Sequence, residues 1–363
     1  MARSRSGSRR SSAADVRSPW AGAAGLAAPA LLASALLAPD PAAGERLAFV
    51  PEQGARLTLC YEEHIELEQR SQSFEVLVDG EEHDSQAPEI ELSMVEDERV
   101  VFTDELLSVA DGRVTRARRS FEELTGNSSQ TVTDPEGEEH EIERASASAL
   151  EGAAVAFAWD ADEEEYAVAF DQGEEGDDEL LAGLAFADDL TCFLPAGEVE
   201  SGDTWDVDPA AYLTLTRPGG DVAIAPEDES EDGAEERRAR RARFAENLAG
   251  TIEAEYRGRR ATDDGERAVV HLALELESSA AVEREIDEGG AEGKRTETSA
   301  IALELGGELL WDPAARRAAS IRLEGDVALT ITDESEYTMQ GSAISLKLVR
   351  ELAGRLRVET TIE

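Results

Sequence analysis

From residue 57 onward, apolar and polar residues alternate. Leu57, Leu59, Tyr61, Ile65 and Leu67 fall on one side of an extended chain, interrupted only by Glu63. A period of two over this length predicts a half-buried strand. Phe74, Val76 and Val78 repeat it and end at Asp79-Gly80, a hairpin-turn pair. Ile90, Leu92 and Met94 follow, then Val100 with Phe102, then Arg113–Glu122 after Asp111-Gly112. Short turns between such runs predict an antiparallel meander. In Ala153–Asp171, Val155, Phe157 and Trp159 face Tyr166, Val168 and Phe170 across the acidic tip Asp160–Glu165, which predicts a hairpin.

The pattern resumes at Asp203–Thr216, Thr251–Tyr256 and Ala268–Leu276, then at Ile301–Leu305, Leu309–Trp311, Ile321–Leu323 and Val327–Ile331. It closes with Ala343–Val349 and Leu356–Ile362. Two stretches read as helices. Asp178–Asp188 groups Leu180, Leu181, Leu184 and Phe186 on one face, with Asp177 as cap. Glu235–Ala249 follows Asp232 and Glu235 at a capping-box spacing and stops at Gly250. The expected fold is mainly β: a strongly curved, half-barrel-like antiparallel sheet with a few helices. It divides into a β-rich half at 55–226, an acidic loop and Arg-rich helix at 227–249, and a second β-rich half at 250–363. The second half replays the first as a weak internal duplication.

The N-terminus departs from this pattern. Arg3, Arg5, Arg9, Arg10 and Arg17 precede an uncharged Ala/Leu-rich run, Ala21–Ala38, which contains Ala33-Ser34-Ala35. A positive segment, an apolar segment and small residues at a cleavage point make an export signal. Residues 1–35 are therefore expected to be a signal peptide and 36–54 a Pro/Ala/Gly linker. The alternative is an uncleaved inner-membrane anchor, for which the run is marginal in length and diluted by Gly22, Gly25 and Pro29. The expected location is periplasmic or extracellular in a bacterial envelope, with no integral membrane domain after processing.

Charge narrows the partners. The chain carries 81 Asp+Glu against 34 Lys+Arg, a net charge of -47. Such a chain repels phosphates, so nucleic acid is excluded as a partner. The 41% hydrophobic content, spread in periodic runs, argues for a packed core rather than disorder. Cys60 and Cys192 are compatible with one disulfide in an oxidising compartment or with two free thiols.

No catalytic, cofactor-binding or metal-binding residue is assigned. His64, His83, His140 and His271 lie far apart, and no serine elbow, phosphate loop or zinc motif occurs. Carboxylates are so abundant that no acid/base pair stands out, so the chain reads as a non-enzyme without cofactor. The acidic runs Asp160–Glu165, Asp171–Glu179 and Glu227–Asp232 do not match a calcium loop and read as solvated charge. Arg237, Arg238, Arg240, Arg241 and Arg243 form a basic cluster expected to pair with neighbouring acids, Glu236 with Arg240 among them. Strand-borne aromatics such as Phe157, Trp159, Tyr166 and Phe170 are expected in the core, with a pocket lining as the alternative.

One motif carries a resemblance. Leu194-Pro195, Val199 and Gly202-Asp203-Thr204-Trp205 resemble the LP…V..GD(S/T)W signature of uncharacterised exported bacterial β-rich proteins, which are similar in outline to lipoprotein-carrier-like half-barrels. The resemblance spans Leu150–Leu323. It implies a curved sheet wrapped over a few helices and transfers no activity. Read on its own residues, the motif is a folding joint: Pro195 ends one stretch, Gly202-Asp203 turns the chain, and Trp205 enters the next strand. The expected function is a non-catalytic exported envelope protein that binds or carries a lipid or other apolar or amphiphilic ligand. The alternative is a structural or protein-interaction module with an acidic, calcium-responsive surface and a protein partner.

Overall fold

The computed structural model describes residues 44–83, 90–171, 176–186, 190–227, 229–288, 291–339 and 341–363. The strands are β1 Glu45–Arg46, β2 Arg56–Val78, β3 Glu81–Glu82, β4 Glu91–Ala110, β5 Arg113–Thr133, β6 Glu139–Ala147, β7 Ala154–Asp160 and β8 Glu165–Phe170. They continue as β9 Glu198–Val199, β10 Thr204–Val207, β11 Ala225–Pro226, β12 Ala249–Thr262, β13 Gly265–Glu288, β14 Ala291–Asp312, β15 Arg317–Met339 and β16 Ser342–Ile362. The two α-helices are α1 Ala211–Thr216 and α2 Glu231–Glu246. All strands but β1 and β9 join one 14-stranded antiparallel sheet, ordered β10-β12-β13-β14-β15-β16-β2-β4-β5-β6-β11, with the β7–β8 hairpin beside β5. Because β16 pairs with β2 along most of its length, the two sequence halves are one sheet. The outermost strands, β10 and β11, are short, which limits edge-to-edge pairing with other chains.

Turn chemistry fixes the hairpins. Asp79 and Gly80 both take positive φ (53° and 83°), as do Asp111 and Gly112 (52° and 79°), the geometry whose twist matches antiparallel strands. Between these turns the strands run farther than the alternation suggests. The Leu57–Leu67 and Phe74–Val78 runs are one strand, because a bulge absorbs the break: Gln69 pairs with Leu352 and Ser71 with Glu351, leaving Arg70 over. The predicted pairs Ile321–Leu323 with Val327–Ile331, and Ala343–Val349 with Leu356–Ile362, are likewise single strands bent at glycine.

Three of these glycines form a diagonal on the inner face. Gly307 of β14 pairs with Leu323, Gly325 of β15 with Leu305 and Leu356, and Gly354 of β16 with Val327 and Leu67. Each step moves two residues along the next strand. A Cβ at Gly307, Gly325 or Gly354 would lie 1.8, 2.0 or 1.7 Å from a neighbouring carbonyl oxygen. Only a hydrogen fits there, so the sheet curves sharply along this line.

The inner face is packed. Tyr61, Val100, Phe102, Leu124, Leu356 and Val358 are buried on the strands. A strap formed by Leu190–Glu227, with α1 inside it, covers them with Phe193, Tyr212, Leu215, Val222 and Ile224, also buried. Helix α2 then lies on β13, where the Ser278 hydroxyl donates to the Phe244 carbonyl (2.7 Å).

Several local expectations are corrected. Asp178–Asp188 forms only a 3-10 turn, Asp178–Leu181, although Asp177 caps it as predicted; residues 187–189 lie outside the described residues. Asp203–Thr216 is a short strand followed by α1, because Pro209 and the Asp208 side chain, which accepts the Ala210 N–H (2.9 Å), turn the chain helical. Helix α2 starts at the cap Ser230, whose hydroxyl accepts the Gly233 N–H (3.2 Å), and ends at Asn247; Gly250 belongs to β12. The linker expected through residue 54 is partly structured. β1 pairs with β9 and Leu47 is buried, so packing begins about ten residues earlier than the alternation implied. Among the described residues no helix is long and apolar enough to cross a membrane.

Candidate functional site

The alternation that builds β2 places Tyr61, Glu63 and Ile65 on the inner face, and β4 places Glu96, Glu98 and Val100 beside them. The register sets Glu63 directly opposite Glu98 and Ile65 opposite Glu96. Like charges opposed across strands destabilise a sheet, and here the strap covers them as well. On β5 the residue opposite Glu98 is Gly126, where a Cβ would already touch Ile224 of the strap at 3.4 Å. The small residue allows the strap to come close.

The result is a cavity of about 220 Å³ with two unlike walls. The sheet contributes Glu63 and Glu98 above an aliphatic floor that includes Ile301, Val327 and Leu356. The strap and α2 contribute Tyr212, Arg217, Asp221 and Arg241. The Tyr61 hydroxyl donates to Glu63 Oε2 (2.9 Å). Arg241 Nη1 donates to Asp221 Oδ1 (3.3 Å), and Arg217 Nη2 to the Arg241 carbonyl (2.9 Å). Among the described residues neither arginine forms an ion pair with Glu63 or Glu98. Tyr212 is 5% exposed, and no protein group described here hydrogen-bonds its hydroxyl.

Electrostatics follow from this enclosure. Burial first, then the neighbouring Glu98 charge, pushes the Glu63 carboxyl up to about 7. Desolvation also raises Glu98 and the neighbouring Glu96, with Arg241 opposing both shifts. The Tyr212 hydroxyl is raised by burial and by Glu63, and Arg217 is lowered by burial and by Arg241. The folded pair therefore holds a proton more readily than free carboxylates do.

Pro218 also borders a second, apolar cavity of about 50 Å³, lined by Phe49, Leu57, Phe102 and Leu106. Its polar groups are the buried Asp104–Arg119 pair, Thr214 and Thr360, 1% exposed, whose hydroxyl lacks a protein partner among the described residues. This volume has room for water but not for an acyl chain. Farther out on the inner face, Phe74 and Val76 of β2 stand opposite Leu348 and Leu346 of β16, half-buried and outside the packed core.

The sequence missed Glu63 and Glu98 as a pair. Its one signal was the break that Glu63 makes in an otherwise apolar strand face. Other features fall as expected or nearly so. Arg240 pairs with Glu236 (3.1 Å) and also reaches Glu297 (2.8 Å), and Arg237 pairs with Glu229 (2.8 Å). In the motif segment, Asp203 Oδ2 accepts the Glu200 N–H (2.8 Å) and the Trp205 indole donates to the Phe193 carbonyl (3.1 Å), which is the geometry of a folding joint. Phe157 is buried, whereas Trp159 is half-exposed under Arg113, 3.9 Å from its ring centre. Cys60 and Cys192 are free thiols. Asp134, Glu138 and His140 bring ligand atoms together at an exposed turn, where Asp134 already accepts the Glu136 and Glu138 N–H groups.

Comparison of the chain with protein-family models, with curated proteins and with solved structures returns no match.

Proposed function

We propose that this is an exported, non-catalytic envelope protein that binds an amphiphilic ligand between the strap and the inner face of the sheet. The carrying observation is a polar pocket and an apolar strip on one face of the sheet. From Leu356 at the pocket floor, the inner face of β16 runs through Leu352, crosses Arg350 opposite Gln72, and reaches Leu348 and Leu346, beside Phe74 and Val76. The polar end would hold a head group and the strip an apolar body. A pocket of mostly apolar wall with a few convergent polar groups is the usual form of a small-molecule site. The 50 Å³ cavity is too small to take the apolar body, so the tail is assigned to the strip.

The test is native mass spectrometry of the chain recovered from an exported fraction. Adducts of amphiphile mass that disappear in Leu348→Asp support the reading. An adduct-free protein that binds no amphiphile would favour the alternative, an interaction module recognised through its acidic surface. N-terminal sequencing of the same material tests export: a start between residues 36 and 44 is expected, and an intact Met1 in the cytosol would argue against it.

A further inference from the structure

Resting on that reading, we infer that the head group held at Glu63 and Glu98 is a primary ammonium, R–NH₃⁺, with an aliphatic body. Such a group carries three N–H donors and no acceptor. The pocket offers three acceptors: the two opposed carboxylates and the hydroxyl of Tyr212, a residue 5% exposed whose hydroxyl has no protein partner among the described residues. The Tyr212 side chain, 5% exposed, lining the cavity and with no hydrogen-bond partner for its hydroxyl among the described residues, is the observation that separates this place from the many acidic clusters of the chain.

Other ligands fit less well. Calcium takes six to eight oxygens, and this pocket presents an aliphatic floor of Ile65, Val100, Ile301 and Val327. A quaternary ammonium has no N–H to donate and prefers aromatic faces, of which Tyr212 and Phe244 are the pocket's only lining examples among the described residues. A carboxylate or phosphate would meet Glu63 and Glu98 while Arg241 is already committed to Asp221. The volume, about 220 Å³, exceeds the ~150 Å³ that accommodates benzene.

Protons compete for the same acceptors. Around Glu63 stand Tyr61 on its own strand, Glu96 and Glu98 on β4, Tyr212 and Arg217 of the strap, Asp221 and, from α2, Arg241. Facing β16 contributes Val358, which does not titrate. Binding should therefore weaken on acidification, by about tenfold per pH unit where one proton is displaced.

Calorimetric titration of the full chain with n-octylammonium, n-octanol, octanoate and octyltrimethylammonium tests this. Octylammonium is expected to bind at pH 8, to bind at least tenfold more weakly at pH 5.5, and to lose at least tenfold in Glu63→Gln and in Tyr212→Phe. Octanol and octanoate are expected to bind at least tenfold more weakly than octylammonium at pH 8. If octanol or octanoate binds equally well and Glu63→Gln changes nothing, the ammonium assignment is overturned while the amphiphile reading stands. If none of the four binds to a folded protein, both fail.

Discussion

Arg119 lies flat against Asp104 in the core, Nε to Oδ1 and Nη2 to Oδ2, each at 2.8 Å, and its guanidinium stacks 3.9 Å from the centre of the Phe102 ring. The arginine is 1% exposed and its third nitrogen donates to the Ala185 carbonyl (3.1 Å). This bidentate pair joins β4 and β5 to each other and, through Ala185, to the segment that precedes the strap. Gly219 borders it at φ +82°, where a Cβ would lie 2.4 Å from Arg119 Nη1. Removing one member leaves the other charge buried. Arg119→Met is expected to cost about 3–5 kcal/mol, and Arg119→Met with Asp104→Leu to recover much of it. Urea denaturation of both variants checks this, and a single variant as stable as the parent would refute it.

Glu63 gives a pH-dependent stability. Its folded carboxyl titrates near 7, above the unfolded value, so the folded state holds the proton more tightly. Its contribution is most favourable below the unfolded value and falls as pH rises towards 7, then levels off. Glu63→Gln, which needs no proton, should therefore stabilise the protein by roughly 2 kcal/mol at pH 8 and change little at pH 4. Thermal unfolding across that range measures it; a variant less stable at pH 8 would contradict the assignment.

The glycine diagonal should resist any side chain. Gly354→Ala drives a methyl into the Glu66 carbonyl, 1.7 Å away, and no flexible side chain can move aside to accommodate it. A loss of about 3 kcal/mol or more is expected, as for other overpacked positions. Gly341, at a hairpin turn with open space around its missing Cβ, serves as the comparison. Gly341→Asn should cost under about 1 kcal/mol, because asparagine tolerates the left-handed region.

Trp159 is half-exposed, so truncation removes one face of a stack rather than a core residue. Its ring sits 5.1 Å from Tyr166 and beneath Arg113. Trp159→Ala is expected to cost about 1–2 kcal/mol, against about 3–5 kcal/mol for Phe157→Ala in the core. Equal losses in denaturant titrations would reverse that placement.

Both thiols should titrate with Ellman's reagent in unfolded protein without reductant. In the native state Cys192, exposed in a turn, should react before Cys60, which is half-buried on the outer face of β2. Reaction is expected to be slow at neutral pH, since desolvation by the surrounding protein raises both thiols. Finding no free thiol would show a disulfide instead.

The sequence by itself determined the class of fold and the punctuation of its hairpins. Alternation at Leu57–Leu67 or Ala268–Leu276 depends on a side chain's own strand, and Asp79-Gly80 or Asp111-Gly112 need only local backbone geometry, so these features are legible without partners. Helix α2 was visible through its charge pattern, although its cap was assigned to the wrong residue. Tertiary structure decided the rest. Nothing local distinguishes a strand that ends from one that bends, so the alternation predicts two strands each for β2, β15 and β16, whereas a bulge at Arg70 and close neighbouring strands at Gly325 and Gly354 make each a single one. Glu63 stood out as a charge on an apolar face, but Glu98 lay in an acidic stretch like many others. Only the β2–β4 register sets the two face to face, and only the strap partly shields them from water. A pairing across 35 positions, and the desolvation that gives it chemical character, depend on long-range contacts that no window of sequence contains.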